Sequence, residues 1–188
     1  KDYPRVISVE YVLAVGSAIM AVHLVIDGYN LIRQSPALSA QEELSLELGR
    51  DALLERLRQY KRVRGHRITV VFDAANKPNL AEERSQQQGI RIIYSGQGET
   101  ADTVIKRICR KQGEKVLLVT TDRELASYAE GRGSVAIDSE DFEARMEMAL
   151  YMDAKGVEEE NEKERWHPDK GTRKKGPAKR LSKKERRR

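Results

Sequence analysis

Carboxylates follow apolar runs at four places along this chain: Asp27 in LVIDGYN, Asp73 in VVFDA, Glu99 and Asp102 in GETAD, and Asp122 in VTTD. An aspartate behind a strand often caps a helix or shapes a turn, and any one of them alone is open to that reading. Four at successive strand ends are harder to treat that way. Gathered at one edge, they repel one another unless a positive charge sits among them. The simplest such charge is a hard divalent cation with oxygen ligands, Mg²⁺ or Mn²⁺. A pair of these ions about 3.5–4 Å apart clamps a phosphodiester and activates water for in-line attack.

The elements that must position these acids are legible as strands alternating with helices. Continuous apolar runs occur at 21–26, 67–72, 90–94, 115–120 and 134–137, the pattern of strands covered on both faces. Helical spacing predicts helices from Glu42 to Arg64, Thr100 to Gln112 and Arg123 to Glu130, and a last one starting near Ser139. The fold class is therefore α/β, a mainly parallel sheet with helices on both faces. In such sheets ligands bind outside the carboxyl ends of the strands, where all four motifs fall. Asp102 lies within a helix. At about 100° per residue it sits at the margin of the apolar face, in the first turn, where it also complements the helix dipole.

Other polar residues admit two readings. Asn30 either shapes the loop after Gly28 or holds a ligand carboxylate or a phosphate. Thr120 and Thr121 are either ordinary strand residues or hydroxyl donors to a phosphate. Trp166 and His167 either pack on the last helix or dock on RNA, and Cys109 reads as a small core residue.

The chain has 188 residues and a net charge of +5, room for one ordinary domain plus extensions. The charge is unevenly spread. From Pro168 to Arg188 eleven Lys or Arg face two acids, so this tail carries +9 and everything before it −4. A block of like charge stays solvated and as an interaction segment meets phosphate backbones, which makes nucleic acid the expected partner. Within the tail Lys174, Lys175 and Arg180 are candidate contacts, with Arg33, Arg107 and Arg123 on the body.

The single cysteine rules out an internal disulfide and points to a reducing compartment, the cytoplasm. The histidines at 23, 66 and 167 lack metal-ligand spacing. The apolar segment near the start is interrupted by Glu10 and His23, and its last part is needed as the strand that delivers Asp27, so no membrane span is expected. With Met20 as the start, residues 1–19 are a non-native extension. One domain then occupies 20–153, a charged helical extension 154–167 and the basic tail 168–188.

DGYN, VVFDA, GETAD and TTD, in this order and with helices between them, resemble the NYN-domain ribonucleases of bacteria, in particular the YacP-like branch. The resemblance covers roughly Ala21 to Asp153 and returns in the basic tail. It implies a compact three-layer α/β/α domain of the PIN-like nucleases and metal-dependent endonucleolytic cleavage of RNA. Position by position, it implies Asp27, Asp73, Asp102 and Asp122 as the metal-binding, catalytic acids with Asn30 in support, and Mg²⁺ or Mn²⁺ as cofactor. One member of the branch acts on ribosome-associated mRNA, which makes the ribosome a candidate partner that the nuclease motifs themselves do not imply.

Two other classes compete. A non-catalytic RNA- or ribosome-binding factor would act through the tail. A phosphatase with an aspartate nucleophile would carry a second Asp two residues after Asp27, where this chain has Tyr29. A nucleotide-binding Rossmann turn would need more glycines than DGYNLI offers.

Overall fold

The structure is a computed structural model that describes residues 22–74 and 82–165, with side chains to residue 156. Residues 1–19, Trp166, His167, Lys174, Lys175 and Arg180 lie outside the described residues. The chain divides after Asp153 into two units.

Six strands form one sheet: β1 (His23–Asp27), β2 (Arg67–Phe72), β3 (Glu83–Gln87), β4 (Ile90–Tyr94), β5 (Val116–Val119) and β6 (Val135–Ile137). Their order is β3-β4-β2-β1-β5-β6, and every pairing is parallel except β3 with β4. The helices are α1 (Gly28–Gln34), α2 (Pro36–Leu44), α3 (Leu46–Arg64), α4 (Ala101–Gln112), α5 (Arg123–Glu130) and α6 (Ser139–Arg165).

Because successive strand residues point to opposite faces, the sheet has two cores. Leu24, Ile26, Val70 and Phe72 pack with Leu31, Leu53, Leu57, Phe142 and Met146 of α1, α3 and α6. Val25, Val71, Ile93 and Leu118 pack on the other face with Val104, Ile105 and Cys109 of α4 and Leu125 of α5. Each such fully buried Leu or Phe contributes about 1.5–3 kcal/mol. The result is the expected three-layer α/β/α arrangement, with β1 at its centre. The chain builds outward from β1 to β2 and β4, then crosses to β5 on the other side. A crevice therefore opens at the carboxyl ends of β1 and β5.

Three local expectations are corrected. The segment after Gly28, expected as a loop, is helix α1. The helix expected over 42–64 is two, with α2 ending at Leu44 and α3 starting at Leu46. Serines cause the break: Ser35 accepts from the Leu38 N–H at 3.4 Å with Pro36 at the first helical position, and Ser45 accepts from the Leu48 N–H at 3.0 Å. The third correction is β3, a polar edge strand that apolar patterning does not reveal. It joins β4 through Gln88 and Gly89, both at positive φ (48° and 81°), as a tight hairpin turn requires.

Gly28 has a packing reason. A Cβ added there would stand 2.3 Å from Cε1 of the buried Phe72, so only glycine lets α1 descend onto β2. Gly28→Ala is expected to push the Phe72 ring aside and destabilise the protein by about 1–3 kcal/mol, read as a lower urea midpoint. A midpoint equal to wild type would show that the ring yields freely.

Candidate active site

At the carboxyl end of the sheet lies a cleft of about 440 Å³ lined by Asp27, Asp73 and Asp102, and also by Tyr29, Asn30 and Arg50. The turn from β1 into α1 presents the first acid. Asp27 caps α1, accepting from the Asn30 N–H at 3.3 Å, so the bland role of helix cap and a place at the cleft coexist in one residue. Burial raises its carboxyl from 3.8 to about 6; the Asn30 N–H opposes the shift, and the charges of Asp102 and Asp122 add to it.

Asp102 projects from the first turn of α4, behind the N-cap Thr100. Its carboxyl is raised by burial and by Asp122, with Lys106 opposing and Glu124 and Asp73 adding. Asp73 follows β2 and accepts from the Ser95 hydroxyl at 3.4 Å, while Ser95 accepts from the Ala74 N–H at 3.0 Å. Ser95 is buried at the end of β4, so one serine orients the loop that carries the acid. Asp122 is exposed and caps α5, accepting from the N–H groups of Glu124 at 2.8 Å and Leu125 at 3.0 Å. It is electrostatically coupled to Asp27 and Asp102, yet it stands beside the cleft rather than in its lining.

Asn30 links these parts. Its side-chain oxygen accepts from the Thr121 N–H at 2.9 Å and the Ser139 hydroxyl at 2.7 Å. One amide thus ties α1 to the end of β5 and the start of α6, holding the Asp122 loop beside Asp27. Neither reading of Asn30 as a loop former nor as a direct ligand anticipated this cross-tie. The Thr121 hydroxyl is buried with no hydrogen-bond partner among the described residues, so it is not presented to solvent. Arg123 is exposed at the head of α5.

One candidate acid and two candidate bases are paired with other residues. Glu99 pairs with Arg107, which also holds Glu82, so Glu99 is neutralised and Arg107 is committed to carboxylates rather than to a phosphate. Arg33 pairs with Glu42 at 3.5 Å and lies over the Tyr29 ring. Sequence reasoning missed Ser95, Arg50 and Tyr94, whose convergence depends on how α3 and β4 pack; the Gln-Gly turn before β4 was the available signal for that edge of the sheet.

Among the described residues no group of three or more His, Cys, Asp or Glu side chains stands ready-closed around a metal position. The donor chemistry nevertheless fits a hard dication. The cleft offers oxygen donors of like charge, and burial resists ionisation of Asp27 in a way that a nearby cation would offset. Among the described residues no helix is long and apolar enough to cross a membrane.

The raised Asp27 pKa has a stability consequence. Between about pH 4 and 6 the folded protein binds more protons than the unfolded chain, so the contribution of this group is fully present below pH 4 and is lost as pH rises through 6. In chelator, Asp27→Asn is expected to remove that fall and to be more stable than wild type at pH 7, by up to roughly 3 kcal/mol. Urea unfolding from pH 4 to 7 reads it; parallel wild-type and variant curves would contradict the burial of this charge.

A family model described as YacP-like NYN domain matches residues 24–188. Over 87 residues the chain is 33% identical to a Bacillus subtilis (strain 168) protein, "Uncharacterized protein YacP", a match covering 46% of this chain and 51% of that protein. The chain thus spans about half the length of this curated relative. Two crystal structures of Rae1 (YacP) from Bacillus subtilis, one of a point mutant, have TM-scores of 0.65 and 0.62 to this chain at 23% and 24% identity. They cover 75% and 78% of this chain, and it covers 84% of each. At that identity the likeness is one of fold.

Proposed function

Since this chain belongs to the YacP-like NYN domain family, a nuclease-type domain, we propose that it is a metal-dependent endoribonuclease, a hydrolase of RNA phosphodiester bonds. The observation that carries the reading is Asp27, partly buried at the end of the central strand in one cleft with Asp73 and Asp102, its carboxyl raised to about 6 and acted on by the charges of Asp102 and Asp122. An edge built only for helix capping has no need to bring these charges together.

In this reading Asp27 and Asp102 hold the cation, Mg²⁺ or Mn²⁺, and Asp73 and Asp122 complete its surroundings directly or through water. A bound dication would supply Lewis acidity toward the phosphoryl oxygens and lower the pKa of water. The remaining work falls to the protein. Asn30 keeps the Asp27 and Asp122 turns in register, and Ser95 orients Asp73. Arg107 neutralises Glu99, so this acid of the GETAD stretch adds no unpaired negative charge. RNA is repelled by the acids alone; Arg123 and the tail residues Lys174, Lys175 and Arg180 supply attraction to its backbone. The likeness to the YacP-like branch extends the reading to ribosome-associated mRNA as target, and the lone thiol Cys109 to the cytoplasm as location.

Incubating long RNA with the full chain in Mg²⁺ or Mn²⁺ tests it. Cleavage is expected to stop in chelator, to drop on the order of a hundredfold in Asp27→Asn and Asp102→Asn, and to weaken in wild type as pH falls through about 6. Identical fragments from wild type and both variants would overturn the enzyme reading and leave RNA binding through the tail as the function.

A further inference from the structure

The cleft is lined by bases as well as acids. Two guanidinium groups line it, and Arg33 is already paired with Glu42. Arg50 is different: among the described residues no carboxylate lies within ion-pair distance of it, and its recorded hydrogen bond goes from Nη1 to the Tyr29 hydroxyl at 3.0 Å. Its guanidinium carbon stands 5.8 Å from the centroid of the Tyr94 ring. Both tyrosines rest on the buried Phe72, Tyr29 edge-on at 5.2 Å and Tyr94 stacked at 5.6 Å. Phe72 directly precedes Asp73, and Tyr29 lies two residues after Asp27. The cation is therefore seated on the same two strand ends that carry the acids, at a separation set by packing.

A guanidinium has five N–H donors, and the Tyr29 hydroxyl takes one. A half-buried cation with unused donors and, among the described residues, no carboxylate partner beyond the longer-range attraction of Glu47 is a site for an external anion. The planar fork of arginine suits a phosphate in particular, which it can grip through two parallel hydrogen bonds. The phenol and the ring face fix the fork beforehand, so less freedom is lost when an anion arrives.

We propose that Arg50, oriented by the hydroxyl of Tyr29 and the face of Tyr94, anchors one non-scissile phosphate of the nucleic-acid strand, in the same cleft as the acidic edge that acts on its neighbour. This assignment rests on the nuclease reading for the identity of the strand. Arg50 is a binding residue, and Tyr29 and Tyr94 are positioning residues. This anchor sets how the strand lies across the cleft, whereas the tail attracts RNA without fixing its register.

The test uses the full chain, Mn²⁺ and fluorescent single-stranded 2′-O-methyl RNA oligomers. One oligomer is all phosphodiester, and the others each carry one uncharged methylphosphonate linkage at successive positions. Arg50→Gln is expected to weaken binding of the charged oligomer roughly tenfold and to flatten the plot of log Kd against log salt by about 0.7, one phosphate contact. A single linkage, made neutral, should weaken wild type by a similar factor and have no further effect on Arg50→Gln. Arg50→Lys should keep the salt slope while losing part of the affinity, and it serves if the glutamine variant does not fold. Tyr29→Phe, which frees the fork, should weaken binding through the same linkage. Wild-type affinity and salt slope in Arg50→Gln, or methylphosphonate losses that persist in it undiminished, would overturn the proposal. Cleavage is scored separately. If wild type fails to cut RNA but the linkage effect depends on Arg50, the nuclease reading falls and the anchor stands; if it cuts without any such dependence, the anchor falls alone.

Discussion

Like charges at the end of a hydrophobic sheet repel, and the rest of this structure is organised around holding them there. Asp27 is the extreme case, since its carboxyl is desolvated as well as crowded. Three contacts keep it in place. Its own cap bond from the Asn30 N–H fixes the turn, and Gly28 allows α1 to seat on Phe72. The Asn30 side chain then reaches across to the Thr121 backbone and the Ser139 hydroxyl. Each belongs to the DGYN stretch, so four consecutive residues deliver an acid, a close packing point, an aromatic support for Arg50 and a cross-tie. The helix caps at Asp27 and Asp122 recover part of the energy that the crowding costs.

Charge is managed around the acids as well as among them. Glu99 is paired with Arg107, and Arg33, largely exposed, is held near Glu42 while still acting on Asp27. The cleft lining joins the acids Asp27, Asp73 and Asp102 to the bases Arg33 and Arg50. That polarity suits a ligand carrying successive negative groups, with a cation bridging one of them to the acids and a guanidinium taking another.

The β1, β2 and β5 strands were readable in the sequence because they are buried on both faces and so are written as apolar runs, and β4 and β6 because most of their residues are apolar and of strand length. The β3 strand was not, because ERSQQ sits at an edge and takes its place from a two-residue turn and from hydrogen bonding to β4, neither of which needs apolar residues. The α1 and α2 helices were hidden by Gly28 and Pro36, which read as breakers yet stand at first helical positions, where both are compatible with the backbone. The acids were legible for the same reason as the strands: an aspartate directly behind a buried run has a known place in a parallel sheet. Arg50, Tyr94 and Ser95 come from α3 and the end of β4, distant in sequence from one another, and only tertiary packing sets them against the acids.

The central claim is that this edge is a cation site whose first ligand is a carboxyl held partly protonated by burial. Calorimetric titration of the chelator-treated full chain with Mn²⁺ at pH 6 and pH 8, each in two buffers of different ionisation enthalpy, measures both binding and the protons it releases. The account predicts release of about half a proton per ion at pH 6, almost none at pH 8, and weaker binding without release in Asp27→Asn. Binding that is unchanged in that variant, or that releases no proton at pH 6, would contradict it.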